Sequence, residues 1–405
     1  MKVLKPSKLS VLNRCFEHRR RYYMGVSVLA FIPLEDAPVL LPEAAMWVFA
    51  GERLGAEALD VGIPKARGEY LIHGSAYAPG GAAVPELAVG ARVGPLQKQL
   101  RVSGDRFWKG RNQASEPQPF TQMPLSWEQA YGGADYPRNP LGRGRAEVEL
   151  FGQTVVPLPN VEDPRALVTA ATQAVEPVGL RTIDISWPQR SALAGTYDQQ
   201  WLEELFPGFA ADVDWGVHNM APRDQQREGW WQGGDAWELM NLHPEKARLA
   251  GTLPRWQARS FITRVLGKGE ARGKGESKRE AFEEVPLALQ TLWFFPDAER
   301  AILIFQGSIE IATDDGSDVL HLLLGAEDSA EPRPVSHYAA VLAKRLDREE
   351  GVFAALDDAP LLPPGQAEAV EPTVAEAMES REGLLEANLH KWRMKEFAEA
   401  RAFVA

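Results

Sequence analysis

The chain has 405 residues, 45% of them hydrophobic, enough to bury one large core or two to three ordinary ones. Its 44 basic against 56 acidic residues leave a net charge of -12, which opposes binding to phosphate backbones or anionic membrane. Cys15 is the only cysteine, the opening MKVLKPSKLSVLNRCFEHRRRYY lacks the apolar stretch of a secretory signal, and the longest apolar run, MGVSVLAFIPL from Met24, falls short of the about 20 residues of a membrane helix, so the expectation is a protein kept in a reducing cytoplasm.

Thirty prolines and 35 glycines, spread along the chain, break nearly every long helical pattern before Gly365 and leave short alternating segments between turns. In chain order the candidate strands are YYMGVSVLAFIPL, AAMWVFAG, EYLIHGSAYA, LAVGARVG, LQKQLRVSG and RAILIFQGSIEIA, several alternating apolar with polar as half-buried antiparallel strands do. Helices are expected to be short. Ser126 and Gln129 form a capping box in SWEQAYGG, which places a small helix over Trp127 to Tyr131 with Gly132 and Gly133 as its stop. In TYDQQWLEELFPG, Thr196 or Asp198 can cap, Trp201, Leu202 and Leu205 share a face, and Pro207-Gly208 ends the helix.

Between Leu266 and Arg279, LGKGEARGKGESKR mixes glycines with both charge signs and reads as a loop between two strands. Its glycine spacing lacks the helix that a phosphate-binding fingerprint needs. After PLLPPGQAEAVEP the chain turns Ala/Glu-rich, and from Thr373 a capping box with Glu376 opens an amphipathic helix whose face carries Val374, Met378, Leu385, Leu389 and Trp392. The expected architecture is therefore mainly β within the α+β class. An antiparallel β-rich body spans 1–365, as two packed β units with an internal division near 160–185, and 366–405 forms a linker and a C-terminal helical tail.

The densest chemistry lies in HNMAPRDQQREGWWQGGDAWELMNLHP, from His218 to Pro244. No histidine pair has the spacing of a helical metal motif, so no metal is expected, and neither a G-x-S-x-G elbow nor a P-loop is present. Asp198, Asp212, Asp214, Asp224, Glu228, Asp235 and Glu238 could supply the carboxylate pair of a glycosidase, and the nearby tryptophans a sugar platform, which makes a carbohydrate-binding or carbohydrate-active protein using 198–243 the competing function. Each acid also has a quieter role: Asp198 as a helix cap, Asp224 in the turn after Ala221-Pro222, Asp235 at the Gly233-Gly234 bend. Trp230, Trp231 and Trp237 are candidate partner-binding residues, since indoles mark protein hot spots as well as cores, and Trp230 and Trp231, adjacent in a strand, point to opposite faces. Trp392 and Leu389 are the candidate anchors of the tail if its helix docks on a partner, the preferred reading over the alternative that the helix folds back and closes the chain's own core.

The strings WPQRSALAGTYDQQW, NMAPRDQ and GGDAWELMNLHPE, with HGSAYAPGG, LQKQLRVSGDRFW, PFTQMPLSWEQAYGGADYPRNPLGRG and TLWFFPDAERAILIFQGS, resemble the family called domain of unknown function 2169 across most of residues 70 to 365. The resemblance places Gly195, Thr196, Tyr197, Asp198, Trp201, Asn219, Pro222, Asp224, Gln225, Gly233, Gly234 and Asn241 in motif positions, with Asn219, Asp224, Gln225 and Asn241 expected to fix loops by local hydrogen bonds. The family is found in type VI secretion gene clusters and regarded as an adaptor or chaperone. What the resemblance implies is a cytoplasmic, non-enzymatic protein without a cofactor that loads a toxin effector, or its PAAR-tip or spike partner, for secretion. The chain departs from the family pattern at Gln290, where an aspartate is expected, and at His218, where a phenylalanine or similar is expected.

Overall fold

The fold is built around one long strand, Arg21–Pro33, whose alternate side chains are apolar in both directions. Val26, Val28, Ala30 and Ile32 enter the main core, while Leu29 and Phe31 enter a second core on the opposite face. The neighbouring strands repeat the division: Leu292 and Phe294 against Trp293 and Phe295, and Ala301, Leu303 and Phe305 against Ile302 and Ile304. A sheet covered on both faces reads as a continuous apolar run, which is why LAFIP, TLWFF and AILIF lack polar alternation. The computed structural model describes residues 1–353, apart from 36–37, 55–58, 60–61, 110–111, 151, 269–277 and 348–351.

Among the described residues three large sheets form the body, beside three two-stranded ones. Sheet I has six strands in the order Gln226–Arg227, Gly68–Ile72, Ala288–Phe295, Arg300–Ile311, Arg21–Pro33 and Leu9–His18, all antiparallel except the parallel pair of Gly68–Ile72 with Ala288–Phe295. Sheet II is antiparallel throughout, in the order Val161–Glu162, Leu96–Ser103, Glu86–Val93, Ala236–Met240 and Arg248–Thr252. Sheet III runs Lys278–Val285, Trp256–Lys268, Val319–Asp328, Lys2–Pro6 and Val352–Phe353, with Lys2–Pro6 parallel to both its neighbours.

One face of sheet I packs against the apolar faces of sheets II and III, through Val89, Val93, Leu100, Trp237 and Leu239 of the former and Ala258, Ile262, Leu322 and Leu324 of the latter. This core runs in sequence from Leu9 to Ala326 and includes Val161 and Leu180, so segments on either side of 160–185 share it. The other face of sheet I is covered by the helix Glu43–Leu54, which buries Met46, Trp47, Ala50 and Leu54. The outer face of sheet III is covered by the helix Val335–Leu346, whose Tyr338 and Leu342 meet Leu4, Phe261 and Leu323.

The body is thus β-rich with several antiparallel sheets and few helices. Two local expectations are corrected, and one helix is unexpected. AAMWVFAG is the centre of the Glu43–Leu54 helix, not a strand: Met46, Trp47, Ala50 and Leu54 fall on one helical face, with Glu43 in the first turn and Arg53 in the last, complementing the helix dipole. The helix at Trp127 is a single 3-10 turn, Trp127–Gln129, and Ser126 makes no side-chain cap; Trp127 is fixed instead by burial against Trp187 and by donating Nε1–H to the Thr182 carbonyl at 2.6 Å. The Val335–Leu346 helix has no counterpart among the expected elements. The strands flanking the glycine-rich loop do pair with each other, but most of that loop, and the whole 366–405 tail with Leu389 and Trp392, lie outside the described residues. Among the described residues no helix is long and apolar enough to cross a membrane.

Candidate functional site

Under the stretch from His218 to Gln226 lies a fully buried ion pair. Lys65 Nζ and Glu69 Oε1 are 2.7 Å apart with both side chains completely inaccessible. An isolated buried charge is prohibitively costly, so the pair persists only where further bonds complete its shell. Here they do. Glu69 accepts the backbone N–H groups of Met220 and Ala221 at 2.8 and 3.0 Å, the Asn219 side-chain amide at 3.2 Å and the Thr291 hydroxyl at 3.2 Å. Lys65 donates to the His218 carbonyl at 2.9 Å. The NMA segment is therefore wrapped around one carboxylate, which satisfies amides that a buried loop would otherwise leave open.

Amide side chains extend this frame. Asn219 pairs with the backbone of Arg67 as another strand would, accepting its N–H at 3.2 Å and donating to its carbonyl at 2.8 Å. Gln225, fully buried, donates to the carbonyls of Tyr70 and Leu180 and accepts from Lys98, which also pairs with Asp224 at 2.7 Å. Gln290 accepts the Lys65 backbone N–H at 2.7 Å and donates to the Gln306 carbonyl, while Gln306 donates to Ser27 and the Ile63 carbonyl. Burial drives the Lys98 ammonium down, and Asp224 opposes that shift.

Above the frame, aromatic rings make a continuous group. His218 lies against Phe209 and Trp215 at centroid distances of 5.7 and 5.6 Å; Trp215 contacts Phe16 and His18; Phe16 stacks on Tyr23. Next along the chain, Tyr197, Trp201 and Phe206 form successive edge-to-face pairs at 4.8 and 5.5 Å. Trp201 anchors the loop by donating Nε1–H to the Gly208 carbonyl at 2.9 Å. Phe206 is 63% exposed and Leu202 47%, two large apolar side chains open to solvent on the Gln199–Glu204 helix and the turn that follows it.

The expected site residues divide sharply. Trp231 and Trp237 are core residues, 3% and 4% exposed, and not surface anchors. Trp231 donates to the Glu69 carbonyl at 2.9 Å, and Trp237 packs on Phe294 in a position where a Cβ at Gly251 would come within 2.6 Å of its ring. Trp230 is half-buried and lies outside any strand. Asp198 caps Gln199–Glu204 by accepting the Trp201 N–H at 2.9 Å. Thr196 does not cap but is itself held, through N–H and hydroxyl, by Asp212. Gly195 has φ +87°, and a Cβ there would meet Ala210 and Asp212 at 2.8 Å. Gly233 and Gly234 turn the chain against Arg255 and Leu253, and Pro222 leads into the 3-10 turn Arg223–Gln225.

The hydrogen bonds of Asn219, Gln225 and Asn241 are not local as expected. They join segments more than 40 residues apart, Asn241 reaching the Ala88 carbonyl at 2.9 Å from a left-handed backbone of φ +57°. Sequence reasoning missed Lys65, Glu69, Lys98, Thr291 and Arg190, the last a buried guanidinium holding the carbonyls of Ile183 and Val217. The only sequence signal was a charge, Glu69, inside the otherwise uncharged strand GEYLI.

The acids proposed for sugar chemistry are already engaged. Glu228 pairs with Arg67, Asp235 with Arg227, Glu238 with Arg92 and Arg248, and Asp214 accepts the Gly216 N–H. Hydrogen bonds from Thr196, Arg67 and Arg248 hold Asp212, Glu228 and Glu238 respectively below the usual carboxylate range, the reverse of what a general acid needs. The cavity beside Trp237, lined by Pro33, Leu34 and Phe294, has about 10 Å³ of room for a water centre, enough for one water. Among the described residues no cluster of three or more His, Cys, Asp or Glu is placed to hold a metal ion.

A family model described as an uncharacterised protein conserved in bacteria, domain of unknown function 2169, matches residues 19–306. No curated protein and no solved structure matches the chain.

Proposed function

The chain belongs to the domain of unknown function 2169 family of bacterial proteins, and on that premise we propose that it is a non-enzymatic adaptor. It binds a type VI secretion toxin, or that toxin's PAAR-tip partner, in the cytoplasm of the producing cell and presents it to the spike complex. The mechanism is stoichiometric binding, without turnover and without a cofactor.

One observation carries the reading: a body covered on both faces of its central sheet holds an aromatic loop, with Phe206 and Leu202 exposed, whose Phe209 ring packs on the His218 that the buried polar frame holds by its carbonyl. Exposed aromatic anchors on a well-ordered support are what recognition of another polypeptide requires. Asp198, Glu228, Asp235 and Glu238 are engaged in a cap and in ion pairs, which fits a scaffold.

Deleting the gene tests it. The expected result is loss of delivery of the toxin encoded beside it while other effectors are secreted normally, with the adaptor itself retained in the cell fraction. Normal delivery of every effector in the deletion strain removes the reading, and secretion of the chain along with the spike replaces it with a structural role.

A further inference from the structure

The strands Leu9–His18 and Arg21–Pro33 pair without a break down to His18 opposite Arg21, which leaves Arg19 and Arg20 as a two-residue turn. Their φ values are +51° and +60°. Both central residues of such a turn lie in the left-handed region, where Asn-Gly is at ease and a long side chain is disfavoured. Both arginines are exposed. Among the described residues neither has an ion-pair or hydrogen-bond partner, whereas the adjacent Arg21 pairs with Glu310 at 3.0 Å. Nothing within the fold explains two arginines here, and backbone strain of this kind collects where a protein meets a ligand.

The turn is joined to the aromatic group. His18 lies 5.0 Å from the Trp215 ring, and the Glu17 carbonyl accepts the Phe209 N–H at 3.3 Å. From Phe209 the chain runs back through Gly208, held by Trp201, to the exposed Phe206. A basic tip and an open aromatic side chain therefore belong to one surface.

We propose that this surface, Arg19 and Arg20 with Phe206 and Leu202, docks an acidic segment of the client polypeptide that also carries an apolar side chain. The proposal rests on the adaptor reading for the identity of the client, and on charge and shape for its chemistry. Two free guanidinium groups attract carboxylates, and Phe206 offers an apolar contact beside them. A nucleic acid fits less well. The chain carries a net charge of -12, and the exposed Asp198, Glu203, Glu204 and Asp212 flank the aromatic element, so a long polyanion meets repulsion on leaving the tip, while a short acidic cluster does not.

The decisive variant is Arg19→Asn/Arg20→Gly in the full chain, because it removes the charges and at the same time supplies the residues the turn prefers. The probe is a fluorescent peptide of consecutive glutamates followed by leucine and phenylalanine, measured against the same peptide with lysines and against an oligothymidylate of equal charge. The variant should melt at or above the wild-type temperature and bind the glutamate peptide about tenfold more weakly, with the wild-type affinity falling as salt rises. Phe206→Ser, which removes an exposed side chain, should weaken binding separately. No binding by the wild type, equal binding by the arginine variant, equal binding of the lysine peptide, or tighter binding of the oligothymidylate would each overturn the proposal. Capture of the purified neighbouring toxin, run in parallel, separates the two claims: peptide binding lost in the variant, with no toxin captured by the wild type, upholds the surface and removes the adaptor reading.

Discussion

Replacing one member of the Lys65–Glu69 pair tests the buried frame directly. In Glu69→Gln the ammonium of Lys65 stays inaccessible without its counter-charge, and the Met220 and Ala221 amides lose a charged acceptor. Breaking a buried pair from one side costs about 3–5 kcal/mol. With an unfolding entropy of about 2.1 cal/mol/K per residue over the described body, that loss corresponds to a fall in Tm of about 4–7 °C. Lys65→Met should be comparably harmful, since it strands Glu69 and leaves the His218 carbonyl without its donor. The double variant Lys65→Met/Glu69→Gln should be less destabilised than the two singles together, because no unpaired charge remains; a coupling of about 1–3 kcal/mol is expected. Chemical denaturation of the four proteins measures it. Single variants that lose less than about 1 kcal/mol, or effects that simply add, would refute the argument that the pair holds the loop through mutual charge neutralisation.

Burial, with Arg181 beside it, holds the His73 imidazole down to about 4. Its folded value is thus below the unfolded one, so the unfolded chain takes up the proton first as pH falls: stability should be unaffected above about 6.5 and decline by up to about 3 kcal/mol between 6.5 and 4, and His73→Gln should flatten that slope in urea titrations at stepped pH. Asp198→Ala should cost about 1 kcal/mol by removing the cap on the Trp201 N–H and should leave no catalytic defect to detect. Gly195→Ala, at φ +87° and with Ala210 in the way, should cost about 2 kcal/mol or more, seen as a lowered Tm without a change in the shape of the far-ultraviolet spectrum.

How much was legible in the sequence follows from what local pattern can encode. The strands Arg21–Pro33, Glu86–Val93, Leu96–Ser103 and Arg300–Ile311 stand out because their apolar spacing and bounding turns are local properties. AAMWVFAG misleads because a short apolar run has no decisive period. The helix signals are the end charges Glu43 and Arg53, outside the quoted run. Val335–Leu346 carries an amphipathic stripe of Tyr338, Val341, Leu342 and Leu346 that sequence reasoning passed over, since nothing local says that it covers a sheet.

The site is less legible than the fold. The resemblance points to the segment from His218 to Gln225, yet what holds that segment in place is long-range: Glu69 binds amides 151 and 152 positions away. Spacing four residues apart suggests a helical Lys65–Glu69 pair, but Glu69 lies in a strand and Lys65 before it, and only the fold turns their side chains together. The tryptophans cannot be sorted from sequence, since a buried indole and an exposed one have the same composition. Trp231 and Trp237 go to the core, and among the described residues the exposed aromatic is Phe206, a residue composition gives no reason to select.

The most direct test of the adaptor account is to mix the purified chain with the purified toxin encoded beside it and measure the mass of what elutes from a sizing column. The account predicts a stoichiometric complex that survives the column, leaves both polypeptides chemically unchanged, and fails to form with toxins from other clusters. Separate elution of the two proteins, with the PAAR-tip partner also supplied, would contradict it.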